Sequence, residues 1–147
     1  MDRIDKILNH DLFLYHLGKN NAAEADRRFC RHGMVHFLDV ARIGTIIALE
    51  EGLELDREWI YAAALLHDCG KHEQYENGTP HEQASARIAP EILKDCGFDD
   101  KETDVIVTAI SRHRDLEAAK EKNLNGVLYR ADKASVPASP AMRRRIA

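Results

Sequence analysis

Five helical segments each bring a histidine or an aspartate to a position where the apolar pattern calls for a core residue. His67 closes the stripe Ile60, Ala63, Ala64, and Asp68 follows it directly. Four-residue spacing puts His67 on the inward face of that helix. An ionised carboxylate beside it is costly to bury without a partner, so the pair suggests a cation between inward-facing polar groups. His36 shares a face with Val40, Ile43 and Ile47, and His113 follows Ile106, Ala109 and Ile110. His81 precedes Ala84, Ser85 and Ile88, while Asp132 lies one turn after Leu128. Taken singly, each is more simply a hydrogen-bonded core histidine or a helix cap. Five such positions, all imidazole or carboxylate, point instead to a divalent metal. Mixed nitrogen and oxygen donors suit iron, manganese, zinc and related ions.

The elements that must position these residues are helical throughout. The stripe Ile4, Ile7, Leu8, Leu12, Tyr15 predicts a first helix ended by Gly18, and residues 22–29 a short second one. A long apolar helix over 36–51, closed by Gly52, belongs at the centre of the fold. Asp56 caps a helix running from Arg57 into His67. Gly70 and Glu76-Asn77-Gly78 mark a loop. Thr79 with Glu82 predicts a capping box, with Pro80 at the first helical position and Cys96 near the end. Asp99 with Glu102 predicts a second capping box, for the helix ending near His113. Residues 124–134 form the last helix. The stretch 136–147, with Pro137, Pro140 and Arg143-Arg144-Arg145, reads as a short mobile, solvated tail after a single helical domain spanning 1–135.

Composition excludes several classes. The 147 residues are 44% hydrophobic and 31% charged, which fits a globular chain with a real core. The net charge of −4 argues against a general nucleic-acid or membrane binder, since both call for a basic surface. No apolar run approaches the roughly 20 residues of a membrane span, and the charged N-terminus has no signal core. Cys30, Cys69 and Cys96 have no paired spacing and read as reduced thiols; Cys30 or Cys96 could be reactive, or more simply a small buried hydrophobe. The expected location is cytoplasmic.

Four stretches resemble one known family. His36-Phe37-Leu38-Asp39-Val40-Ala41 is similar to its first-histidine helix. Residues 63–71, ending His67-Asp68-Cys69-Gly70-Lys71, resemble its His-Asp signature. Ile110-Ser111-Arg112-His113 resembles the later histidine helix, and Tyr129-Arg130-Ala131-Asp132-Lys133 the final Ala-Asp segment. In this order, over residues 32 to 135, they resemble the HD-domain metal-dependent phosphohydrolase superfamily. The pattern is nearest to dinuclear members such as the HD-type symmetrical diadenosine tetraphosphatases.

The resemblance implies an all-α fold: one compact helical domain with a central metal site. It assigns His36, His67, Asp68 and Asp132 to a first ion. If Asp68 bridges, His81 and His113 complete a second. Many relatives carry His-His where this chain has Arg112-His113, so the second site is expected to be weaker and finished by water or substrate. The cofactor expected is a divalent ion among Fe, Mn, Co, Ni, Zn and Mg, with iron or manganese favoured.

Asp68 and Lys71 are the residues expected to act in catalysis. Lys71, just past the signature, is in reach of a substrate phosphate or is simply solvated. Arg112 and Arg130 flank candidate ligands and could clamp phosphate, or form surface ion pairs. His32, one turn before His36, could be a ligand or, more simply, a supporting or exposed residue, and His10, His16 and His72 read as surface or structural. The activity implied is hydrolysis of a phosphoester or phosphoanhydride in a small, nucleotide-like substrate. A regulatory module binding metal and nucleotide without turnover is the alternative, and a homodimer is left open.

Overall fold

The structure is a computed structural model and describes residues 1–25 and 33–135. Among the described residues eight α-helices and one 3-10 turn follow one another: α1 Asp2–Leu8, α2 Asp11–Ala23, α3 Met34–Glu50, α4 Arg57–Leu66, α5 Lys71–Asn77, α6 His81–Asp95, α7 Asp100–Ser111, the 3-10 turn Leu116–Lys120, and α8 Leu124–Ser135. Every described element is helical, as the patterning predicts. The expected 136–147 tail, His32, Cys30 and the second half of the expected 22–29 helix lie outside the described residues; its first half is no separate helix, since Ala22 and Ala23 end α2.

The core is built on α3, α4 and α8, which pack against one another, with α6 and α7 closing the other side. Phe37, Val40 and Ala41 of α3 are buried, as are Ile60 and residues 62–66 of α4 and Val127, Leu128 and Ala131 of α8. Small residues let these helices approach closely. Gly44 of α3 faces Ile60 and Val127, and an added Cβ would stand 3.0 Å from the isoleucine methyl group. The five helices around this core are the five that carry the inward histidines and aspartates.

Two caps form as predicted. Asp56 accepts the Glu58 N–H, and Asp99 with Glu102 makes a full capping box on α7. Glu102 also collects Arg3 at 2.9 Å and the Trp59 indole N–H at 2.6 Å, tying α1 and α4 to α7. Arg3 holds the Glu102 carboxyl down at about 2.

Other boundaries differ from expectation. The first stripe is two helices, because the His10 side chain accepts the Leu12 N–H and starts α2 afresh. Gly18 does not end a helix; α2 runs through it to Ala23. Thr79 and Glu82 make no capping box: Thr79 donates to Asn77 instead, and Pro80 stands at the N-cap of α6. Between Gly70 and Gly78 the expected loop is a short helix, α5. Gly78 ends it at φ 82°, a conformation that favours glycine.

Candidate metal centre

The carboxylate of Asp68 stands between two pairs of imidazoles, one for each of its oxygens. Oδ2 lies 3.2 Å from His67 Nε2 and 3.5 Å from His36 Nε2. Oδ1 lies 3.4 Å from both His81 Nε2 and His113 Nε2. Asp132 closes the first group, its Oδ1 at 3.1 Å from His36 and 3.3 Å from His67. His36, His67, Asp68 and Asp132 thus form one set of converging donors. Asp68, His81 and His113 form a second, and within each set the donor atoms lie within 4.8 Å of one another. All six residues are buried. The structure therefore brings together every candidate ligand that the sequence singles out.

Helix geometry explains the convergence. His67 follows the last turn of α4, and its Nδ1 is 2.6 Å from the Ala64 carbonyl three residues back. His113 repeats the device past the end of α7, with Nδ1 at 2.7 Å from the Ile110 carbonyl. A carbonyl can only accept, so Nδ1 carries the proton in both rings. Nε2 is then the nitrogen that faces the centre and is left to meet a cation or a proton. His36 Nδ1 meets Ser135 Oγ at 3.1 Å, and His81 Nδ1 meets Gln74 Oε1 at 2.8 Å. Such partners fix the orientation of a ligating imidazole. Packing locks the rings further: His67 stands edge-on to His113 at 5.0 Å and to Phe37 at 5.8 Å.

This donor set fits a divalent cation. His81 and His113 present Nε2 to Nε2 at 3.1 Å while each Nδ1 faces an amide-type oxygen. With each Nδ1 so engaged, the two Nε2 atoms are left to face one another and Asp68 Oδ1, and a cation placed among them meets all three. The mixed nitrogen and oxygen set is one that iron, manganese and zinc accept.

The electrostatics are those of a ligand cluster. Burial opposes charge on His36 and His67, but Asp132 and Asp68 overcome it and hold both imidazoles above their ordinary value. Burial would likewise raise the two carboxyls; the surrounding histidines keep both well below the usual range. His81 goes the other way. Burial, with help from His113, Lys71 and Arg114, lowers it to about 3 despite Asp68, leaving it neutral and ready to ligate.

A metal entering this site must displace the protons that Asp68 and Asp132 hold on His36 and His67. Raised imidazole values extend proton competition upward in pH, so the affinity for metal is expected to fall as pH falls. The loss should reach about tenfold per pH unit for each proton displaced. Manganese titrations between about pH 8 and pH 6 check this; a flat affinity would contradict it.

The remaining candidates divide. Lys71 Nζ is 3.4 Å from His81 Nδ1, at the edge of the cluster. Arg112 and Arg130 are not brought into it. Arg112 binds Asp115 and Glu121, the latter at 2.6 Å. Arg130 donates to the carbonyls of Ala119 and Glu121 and to Glu51. Both fasten residues 115–121 to the bundle, which is the ion-pair role the sequence left open. Sequence reasoning missed Gln74 and Ser135, which no apolar pattern marks. It also missed Arg114, exposed beside His113, whose charge reaches His81. Of the three histidines expected to be surface or structural, His10 is a cap and His16 and His72 are a buried pair.

Comparison with known proteins agrees with this fold. The HD domain family model matches residues 33–136. An uncharacterized protein of Clostridium beijerinckii is 48% identical over 135 residues, covering 92% of this chain and 84% of that protein. The crystal structure of a predicted HD superfamily hydrolase from an uncultured Thermotogales bacterium superposes with a TM-score of 0.67 at 25% identity. That superposition covers 90% of this chain and 73% of the other. With its helices, its signature and its converging histidines and aspartates in place, the chain belongs to the HD domain family.

Proposed function

We propose that the protein is a metal-dependent phosphohydrolase that cleaves a phosphoester or phosphoanhydride in a small, nucleotide-like substrate. The observation that carries the reading is Asp68, whose two oxygens each serve a different pair of imidazoles. The two donor sets would each hold a divalent ion, with Asp68 serving both. Bound divalent ions supply Lewis acidity and make an attacking water more acidic.

The chain's own residues do the rest. Asp68 and Asp132 offset the positive charge that would otherwise gather in a buried site. The Nδ1 contacts of His67 and His113 keep their rings from turning. Lys71 and Arg114 put positive charge on the His81 side, where a phosphate of the substrate would meet it. Phosphate release from a panel of nucleotides and dinucleoside polyphosphates, with added manganese, iron, cobalt or magnesium, tests the reading. Turnover of at least one member supports it. Metal binding with no turnover on any phosphoester would contradict it.

Lys71→Ala is expected to weaken turnover far more than metal binding, because an ammonium is no ligand. A charge-assisted hydrogen bond contributes about 1.5–3 kcal/mol, so kcat/KM should fall roughly 10- to 100-fold at unchanged metal content. Wild-type kinetics in the variant would return Lys71 to a solvated role.

A further inference from the structure

We infer that Asn20, far from the signature in sequence, is a positioning residue that sets the attitude of Asp68 and Lys71 through the backbone between them. The inference rests on reading the cluster as a metal centre. Asn20 is completely buried in α2, and its amide spans the turn from α4 to α5. Nδ2 donates to the Asp68 carbonyl at 3.0 Å and, more weakly, to that of Cys69 at 3.4 Å. Oδ1 accepts the His72 N–H at 2.8 Å. His72 is the second residue of α5, and the N-cap Gly70 has no side chain to offer it. Asn20 therefore supplies, from another helix, the cap that α5 lacks.

The turn is held from its other side as well. Ser85 Oγ of α6 accepts the Gly70 N–H at 2.9 Å. A Cβ on Gly70 would fall 2.7 Å from both the Ala84 methyl and the Ser85 nitrogen, so α6 presses directly on the turn. These two sets of contacts hold the backbone of residues 68–72 from both sides, and this matters because both Asp68 oxygens face imidazoles. A small turn of that carboxylate loosens both imidazole pairs at once.

The face of α2 that carries Asn20 is polar where a helix contact is usually apolar. His16, Asn20 and Glu24 recur at four-residue spacing and are all buried. His16 Nδ1 meets His72 Nε2 at 2.7 Å, and the Tyr75 hydroxyl donates to Glu24. Buried polar contacts of this kind add little net stability but specify one arrangement. The face thus holds α5, and Lys71 at its start, in one register.

The test is a manganese titration of wild type, Asn20→Ala, Asn20→Asp and Glu102→Gln, with thermal unfolding of each metal-free protein alongside. Asn20→Asp keeps an acceptor for His72 but turns a carboxylate oxygen toward the Asp68 carbonyl. Glu102→Gln weakens the Arg3–Trp59 knot, away from the cluster. All three variants should unfold at lower temperature. Only the two Asn20 variants should bind manganese more weakly, by about 10- to 100-fold, the usual effect of losing a residue that orients a ligand. Their cobalt-loaded forms should show altered visible absorption. If Asn20→Ala does not fold, Asn20→Asp alone decides. Wild-type affinity in a folded Asn20 variant, or equal weakening by Glu102→Gln, would reduce Asn20 to a purely structural role. A wild type that binds no manganese would instead overturn the metal-centre reading, and this inference with it.

Discussion

Asp68→Ala is expected to leave the protein without either metal ion and to reduce phosphoester hydrolysis to background, with helical circular dichroism largely intact. Every other candidate ligand belongs to one donor set, but Asp68 belongs to both. The first set loses one of its two carboxylates, leaving only Asp132 to offset an ion's charge, and His81 and His113 lose the only carboxylate they have, so neither set is expected to keep its ion. The fold should survive because the apolar packing of α3, α4 and α8 does not involve the carboxylate. Elemental analysis of the purified variant, beside its spectrum and its turnover, checks all three parts. Full metal occupancy would sink the assignment.

His81→Ala should separate the two sets. His36, His67, Asp68 and Asp132 remain intact in this variant, so the first ion should stay. The second set falls to Asp68 and His113 and should no longer hold an ion. Loss of preorganised charge stabilisation costs on the order of 10²- to 10³-fold in kcat, and a loss of that size is expected at one tightly bound metal per chain. A variant that loses all metal, or keeps full activity, would contradict the two-set account. The same logic predicts unequal sites in the wild type. The second set has one donor fewer than the first, so its ion should bind only with excess metal or with substrate.

The candidate site was legible in the sequence because burial of a polar side chain breaks a pattern. His67 at the end of Ile60, Ala63, Ala64 is conspicuous since nothing apolar explains it, and the same holds for His36, His81, His113 and Asp132. Local caps with both partners nearby, such as Asp99 and Glu102, were legible for a similar reason. Contacts that depend on distant chain were not. Thr79 and Glu82 carry the letters of a capping box, yet Asn77 takes the threonine hydroxyl. Gly18 looks like a stop, but α2 continues to Asn20, whose bonds lie 48 to 52 residues away. Arg112 and Arg130 sit beside candidate ligands in sequence, while Asp115, Glu121 and Glu51 engage their guanidinium groups. One signal was readable in retrospect: His16, Asn20 and Glu24 at four-residue spacing make a polar stripe as regular as any apolar one.

A crystal structure of the protein grown with manganese, with anomalous differences recorded, tests the central claim most directly. The account predicts two peaks that share Asp68. The stronger is bounded by His36, His67 and Asp132, and the weaker by His81 and His113. No peak at either set, or manganese held by other residues while Asp68 binds none, would contradict it.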